Sequence, residues 1–322
     1  LAQTLFFMLA LLIYTPGMLS LFCGQLTGFL LPLVVGLYLL ARKGKENWAG
    51  VTLGLLCSIK LFFGIFVLYY LSQKRWRLVS LAACTGILVF LLCLWLFGIE
   101  TFQRYQQNLK DIYWYANSWN VSLTGNFLRF FSKSEHNTPL IDLTAYAPWL
   151  VNSLNAAVYG YLFWLWWRLQ RHLSFQAVVK HDLGFSITLT AMLLLSPLGW
   201  VYYFPLLIVA YLVFLLYSSQ LKQRLALFIS GNLALYLSFF LNEFLLTPEI
   251  HSAHQVLISS GMNFYALILF FLSLVAMVEL GLKQGLKENN YQPVLASRLQ
   301  YCFYTILCLP GVYALYNAFL HL

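Results

Sequence analysis

Apolar runs close to 20 residues recur along the whole chain, and this recurrence constrains the fold more than any other feature. A bilayer core of roughly 30 Å needs about 20 helical residues to cross it. Backbone N–H and C=O groups in lipid must find partners inside the protein, so only helices and closed barrels span. A barrel would read as short segments of alternating polarity, whereas the runs here are continuous. Charged residues make up 9% of the chain, against about 25% in soluble domains. The expected fold is all-α: a polytopic transmembrane helical bundle of about 9–11 segments with one aromatic-rich external loop. It is read as a single integral membrane domain, with a core over 1–217 and C-terminal transmembrane helices over 218–322.

The apolar runs fall at roughly 4–22, 25–41, 48–71, 78–98, 147–167, 183–199, 201–217, 225–246, 257–280 and 299–320. Pro16 and Gly17 interrupt the first. Basic residues cluster at Arg42, Lys43 and Lys45, and again at Lys74, Arg75 and Arg77. A single straight span over 48–71 would put these clusters on opposite sides of the membrane. Basic loops favour the cytoplasmic side, so 48–71 reads as two short helices that enter and return, with Lys60 near the turn. Gly50, Gly54 and Gly64 suit a break or close packing there. With that orientation, 14 of the 19 Lys and Arg residues lie in cytoplasmic loops. The net charge of +9 therefore sets orientation and does not point to nucleic acid. The cysteines (Cys23, Cys57, Cys84, Cys93, Cys302 and Cys308) lie in or immediately beside apolar spans and read as small core residues.

The longest stretch without a spanning pattern is 100–142. It is polar but carries Phe102, Tyr105, Tyr113, Trp114, Tyr115 and Trp119, too many rings for a disordered linker. It reads as a folded loop on the membrane surface and as part of the working site. Gln25, Lys60, this loop and a break at Ser196–Trp200 are all expected toward the same, outer face. Pro197, Gly199 and Pro205 crowd one short interval, and broken helices occur in membranes where backbone is buried in protein or lines a cavity.

Several residues are candidates for chemistry. A lysine inside an apolar run costs about 3 kcal/mol at the bilayer centre and is functional by default; Lys60 as a point charge suits a phosphate, with snorkelling to the interface the competing reading. Arg129 is a second phosphate-clamp candidate, set against a solvated loop charge. Asn120-Val121-Ser122 matches a glycosylation sequon but carries little weight. Glu100, Asp111 and Asp142 are carboxylates in the external loop, and no spacing selects one as a base. Glu249, His251 and His254 lie close together without a fourth metal ligand. Glu243 and Glu279 sit near span ends. No phosphate-binding loop, dinucleotide fingerprint or zinc motif is present in the sequence.

Four stretches together resemble glycosyltransferase family 87, in the GT-C superfamily. They are Gly24-Gln25 opening a span, the glycine-rich run ending at Lys60, the Asn120, Ser122, Leu123, Gly125, Arg129 series, and Ser196, Pro197, Trp200. The resemblance covers roughly 1–217. It implies an inverting membrane hexosyltransferase, typically a mannosyltransferase, in the bacterial cytoplasmic membrane. Its donor would be a polyprenyl-phosphate sugar and its acceptor a lipid-linked or cell-envelope glycan at the outer face. Neither a cofactor nor a metal is implied. Gln25, Lys60 and Arg129 would stabilise the departing phosphate, while Asn120, Ser122, Ser196, Trp200 and Tyr202 would shape the site. The family's general-base Asp belongs ahead of the kinked segment at 4–22. It is therefore expected upstream of Leu1, in a region preceding this sequence. Two positions depart from the family pattern: Leu61 where a Pro follows the Lys, and Tyr202 where a His follows the Trp. Two other readings stay open: a transporter or flippase of a lipid-linked solute, and a catalytically inactive relative.

Overall fold

The computed structural model describes residues 14–110, 114–117, 119–133, 139–172, 175–238 and 262–286. Over these residues the chain is helical, with no strand and one isolated antiparallel bridge between Asn120 and Trp200. The helices are α1 (Thr15–Phe22), α2 (Thr27–Arg42), α3 (Glu46–Ile59), α4 (Gly64–Ser72), α5 (Trp76–Lys110), α6 (Leu123–Phe131), α7 (Ala147–Arg171), α8 (Ala177–Leu195), α9 (Ile208–Ser218), α10 (Arg224–Ser238) and α11 (Met262–Gln284). Four described stretches are long and apolar enough to cross a membrane: Trp76–Leu109, Ala177–Leu195, Val201–Ser218 and Asn263–Gln284. Thr27–Arg42, Leu61–Ser72 and Arg224–Leu235 are shorter apolar helices. The protein is an all-α polytopic bundle.

The stretch 48–71 forms the expected helical pair. Gly50 packs against the Leu78 carbonyl and Leu81, and Gly54 against the Ala82 carbonyl and Thr85. A Cβ would come within 2.6 Å of Leu78 O at Gly50 and 2.5 Å of Thr85 Cβ at Gly54, so both sites require glycine for close helix approach. These contacts advance in step along α3 and α5, so the two helices run parallel. Helix α4 must therefore return the chain between them. Arg75 closes the loop. Its Nε donates to Glu46 Oε1 at 2.7 Å and its Nη2 to the Ala41 carbonyl at 3.1 Å, seating the second basic cluster beside the first.

The other basic turns share this end. Arg168 on α7 pairs with Glu279 on α11, His172 meets the Leu282 carbonyl at 3.0 Å, and Lys222 N–H donates to Gln284 Oε1 at 3.0 Å. Span ends, not a membrane-exposed site, thus account for Glu279.

Helix α8 is the central element. From Leu183 to Leu195 every residue is buried, which a helix apolar on all faces requires. Its hydroxyls Ser186, Thr188 and Thr190 bond back to carbonyls four residues earlier at 2.8, 2.6 and 3.0 Å, which spares them a buried unpaired state. Gly184 leaves room for Tyr69, whose hydroxyl would lie 2.4 Å from a Cβ there.

Helix α8 starts at Ala177, ahead of the expected start at 183, and takes His181 and Asp182 inside. Asp182 is fully buried. It accepts hydrogen bonds from Tyr38 at 2.8 Å, Arg42 at 3.0 Å and Tyr217 at 2.8 Å, joining α2 and α9 to α8. Those partners make burial of a charge tolerable and let the helix extend through it. The expected span at 201–217 opens instead with a 3-10 turn, Val201–Leu207, that contains Pro205, because proline removes a helical donor. Helix α5 continues past the expected end at 98, across Gly98, to Lys110.

Candidate functional site

Two helix breaks meet at the end of the bundle opposite the basic turns. The first is at Lys60. Its N–H still closes α3 onto Leu56 O at 2.9 Å, but its backbone is extended (φ −144°, ψ 113°), and a 3-10 turn over Leu61–Phe63 follows. The second runs from Ser196, which ends α8, through Val201–Leu207. Lys60 Nζ lies 5.7 Å from the centroid of the Tyr203 ring, and Phe62 meets the same ring edge-on at 5.1 Å. An ammonium over an aromatic face is attracted by about 0.5–2 kcal/mol. Tyr202 packs against Tyr203 at 4.8 Å and stacks on Trp200 at 6.0 Å, with 17° between the planes. Thr27 Oγ1 donates to the Tyr202 carbonyl at 3.0 Å and anchors the start of α2. Gln25 is half-buried two residues before it, in the turn made at Gly24.

The external loop is stapled to the second break by Asn120. Its side-chain Nδ2 donates to the Tyr115 and Pro197 carbonyls, each at 2.8 Å, and its Oδ1 accepts from Gly199 N–H at 3.0 Å and Ser122 N–H at 3.2 Å. All four capacities of the amide are filled. Backbone bonds complete the bridge: Val121 N–H to Gly199 O at 2.7 Å and Val201 N–H to Trp119 O at 3.0 Å. Gly125 and Gly199 make the approach feasible. A Cβ at Gly125 would sit 2.6 Å from Asn120 Cγ, and one at Gly199 would sit 2.3 Å from Leu193 O. Asn120→Ala is expected to cost about 2–4 kcal/mol, because it strips buried carbonyls and N–H groups of their partners. Chemical denaturation in detergent checks this.

The structure brings Lys60, Trp200, Tyr202 and the turn holding Gln25 to one place, and ties Asn120, Ser122, Ser196 and Arg129 beside it. The last four are framework. Ser122 caps α6 by accepting from Gly125 N–H at 3.0 Å. Ser196 is a buried helix end. Arg129 is 1% exposed, so the solvated-loop reading fails. Its Nη2 donates to Asn120 O at 3.0 Å and Asn126 Oδ1 at 2.5 Å, and its Nη1 to the Asn117 carbonyl. Burial lowers its pKa to about 9, so it stays protonated at neutral pH. Its fork binds the Asn117 and Asn120 carbonyls, the geometry of a loop-positioning residue. The same burial of Asn120 removes the glycosylation reading.

The described external-loop carboxylates make no described hydrogen bond or ion pair with this cluster. Glu100 is exposed. Asp142 is exposed, and hydrogen bonds from Thr144 hold its carboxyl below the usual range. The described residues begin at Tyr14, so Leu1 and the general-base Asp expected upstream of it lie outside them. Asp111, Glu243, Glu249, His251, His254, Cys302 and Cys308 also lie outside the described residues. Among the described residues no cluster of metal ligands occurs, and Cys23, Cys57, Cys84 and Cys93 are free thiols.

The site thus holds a cation at a helix break, an aromatic wall and a braced loop. A cation beside aromatic rings suits an anionic group with an apolar tail. Sequence reading missed Tyr203, the aromatic partner of Lys60; its signal was the tyrosine pair beside Trp200. Leu61 proves compatible with the break. A residue before proline is driven into the extended region, and Lys60 adopts that region without one. Since Leu61 opens a helical turn, a position that accepts proline, Leu61→Pro is expected to stabilise the protein by about 0.4–1 kcal/mol by restricting the unfolded chain. Thermal unfolding of the two proteins measures it.

No curated protein and no solved structure matches this chain. The family model for glycosyltransferase family 87 matches residues 2–197. That match takes in the break at Lys60, the start of the second break at Ser196 and, but for Trp200 just beyond it, all four sequence stretches; the chain belongs to glycosyltransferase family 87.

Proposed function

We propose that this membrane glycosyltransferase moves a hexose, mannose in the first instance, from a polyprenyl-phosphate sugar to a lipid-linked or cell-envelope glycan. Transfer takes place at the outer face of the bacterial cytoplasmic membrane and inverts the anomeric carbon. The observation that carries the reading is Lys60: a lysine at a helix break, its ammonium over Tyr203, at the bundle end opposite the basic turns. A phosphate leaving an anomeric carbon develops negative charge, and a fixed cation there lowers the barrier. The tendency of basic turns to lie on the cytoplasmic side supports an outer-face position for Lys60. In this reading Lys60 holds the leaving phosphate, Gln25 and Tyr202 supply hydrogen bonds, and Trp200 flanks the sugar or the first isoprene units. Asn120, Ser122, Ser196 and Arg129 hold the loop and the second break in register. Deprotonation of the acceptor falls to an Asp, as the family resemblance implies. The partners are the bilayer, the lipid-linked donor and the glycan acceptor; cofactor and nucleic acid have no part.

The test is turnover by the full-length protein in proteoliposomes, with labelled polyprenyl-phosphate mannose and a membrane glycan extract as acceptor. Transfer from the lipid donor, and none from a nucleotide sugar, is the expected result. Transfer from a nucleotide sugar alone would sink the donor assignment. Uptake of a lipid-linked solute without turnover would favour a transporter.

A further inference from the structure

The segment after Gly98 carries an interaction surface of its own. Gly98 has φ 76° and ψ 162°, a backbone region open essentially to glycine alone. Helical geometry resumes at once and runs to Lys110. Phe90, eight residues before the kink, and Phe102, four after it, are in edge-to-face contact at 5.2 Å. On one straight helix they would be about 18 Å apart along the axis. The chain therefore turns sharply at Gly98, and Phe102 reaches back toward the middle of the preceding span.

That contact gives the second segment a direction. Ile99, Phe102, Tyr105 and Leu109 follow one another at helical spacing, while Glu100, Gln103, Arg104 and Gln107 take the other side. Phe102 belongs to the apolar side, so that side looks down α5 toward Phe90. This stretch of α5 is itself bare: Leu91, Trp95 and Phe97 are exposed. Ile99, Tyr105 and Leu109 are exposed as well. An apolar helix face continuous with a bare transmembrane surface matches a helix lying in the plane of the interface.

We infer that residues 99–110 form an interfacial helix whose partner is the lipid bilayer, its apolar face sunk at the headgroup–acyl boundary and its polar face in water. Further along the sequence come Tyr115, Ala116 and Asn117, whose carbonyls bind Asn120 and Arg129.

The experiment is spin-label scanning of the full-length protein in phosphatidylcholine–phosphatidylglycerol vesicles, with the six native cysteines replaced by alanine. Single cysteines are placed at Ile99, Tyr105 and Leu109, and at Gln103, Arg104 and Gln107. The first three should be relaxed mainly by oxygen, the last three mainly by an aqueous nickel chelate. Equal aqueous access at all six would overturn the inference. Shielding of Ile99, Tyr105 and Leu109 from both reagents would overturn it too, since protein and not lipid would then cover them. Should the cysteine-free protein not fold, a lipid-soluble diazirine on the unsubstituted protein reads the same pattern. It should label Ile99, Tyr105 and Leu109 and spare Gln103 and Gln107; the reverse or uniform pattern rejects the interfacial helix.

Discussion

Lys60→Ala should lower sugar transfer by the full-length protein about 100-fold or more, the scale seen when one preorganised charge-stabilising group is removed. Membrane insertion and unfolding should stay near those of the unaltered protein. The asymmetry follows from where Lys60 sits. Its backbone makes the break, through the N–H bond to Leu56 O and the carbonyl bond from Phe63 N–H, and alanine keeps both. Its side chain is half-buried and contacts Tyr203 through the cation–π interaction alone among the interactions described, worth about 0.5–2 kcal/mol. Lys60→Arg keeps the charge but replaces a compact ammonium by a planar fork, and should recover only part of the rate. Initial rates with the lipid-linked donor, run beside thermal unfolding, separate the two effects. Turnover retained by Lys60→Ala would remove Lys60 from phosphate handling.

Asp182→Ala should do the opposite: destabilise the bundle by about 3 kcal/mol, without entering the chemistry. Removing one member of a buried ion pair leaves its partners without compensation. Asp182 is the acceptor for Tyr38, Arg42 and Tyr217 together, at the end of the bundle away from Lys60. The value belongs at the low end of the usual range because the Arg42 side chain is 30% exposed and can turn to water. Asp182→Asn should cost less, since an amide keeps one acceptor oxygen but must turn its NH2 toward a phenol or the guanidinium. Denaturant unfolding of the detergent-solubilised protein measures both. A double substitution with Arg42→Met should cost less than the sum of the singles. Additive losses would mean that the pair is not the tie it is taken to be.

The two substitutions probe features that differed in how visible they were in the sequence. Lys60 was legible because a charge in an apolar run is costly anywhere in the membrane, whatever surrounds it. Its placement at a break followed from two basic clusters that had to share a side. Asp182 was not legible. It sits at a span boundary beside His181, where an acid reads as loop, and its buried state depends on Tyr38 and Tyr217, 144 and 35 residues away. Arg129 and Asn120 carried motif signals, but the motif does not say whether a polar side chain faces a ligand or its own backbone.

Local pattern by itself determined the helical membrane class, the paired helices around Lys60, the break at Ser196–Pro205 and the basic turns gathered at one end. Each of these rests on hydropathy, charge or a proline, properties that act over a few residues and need no partner. Tertiary structure alone decided that Asn120 staples the loop to Gly199, that the Arg129 fork binds carbonyls, that Tyr203 faces Lys60 and that the chain turns at Gly98 to bring Phe102 against Phe90. These are contacts between groups whose pairing is set by packing, and a buried polar group takes its role from whichever partner the fold brings to it.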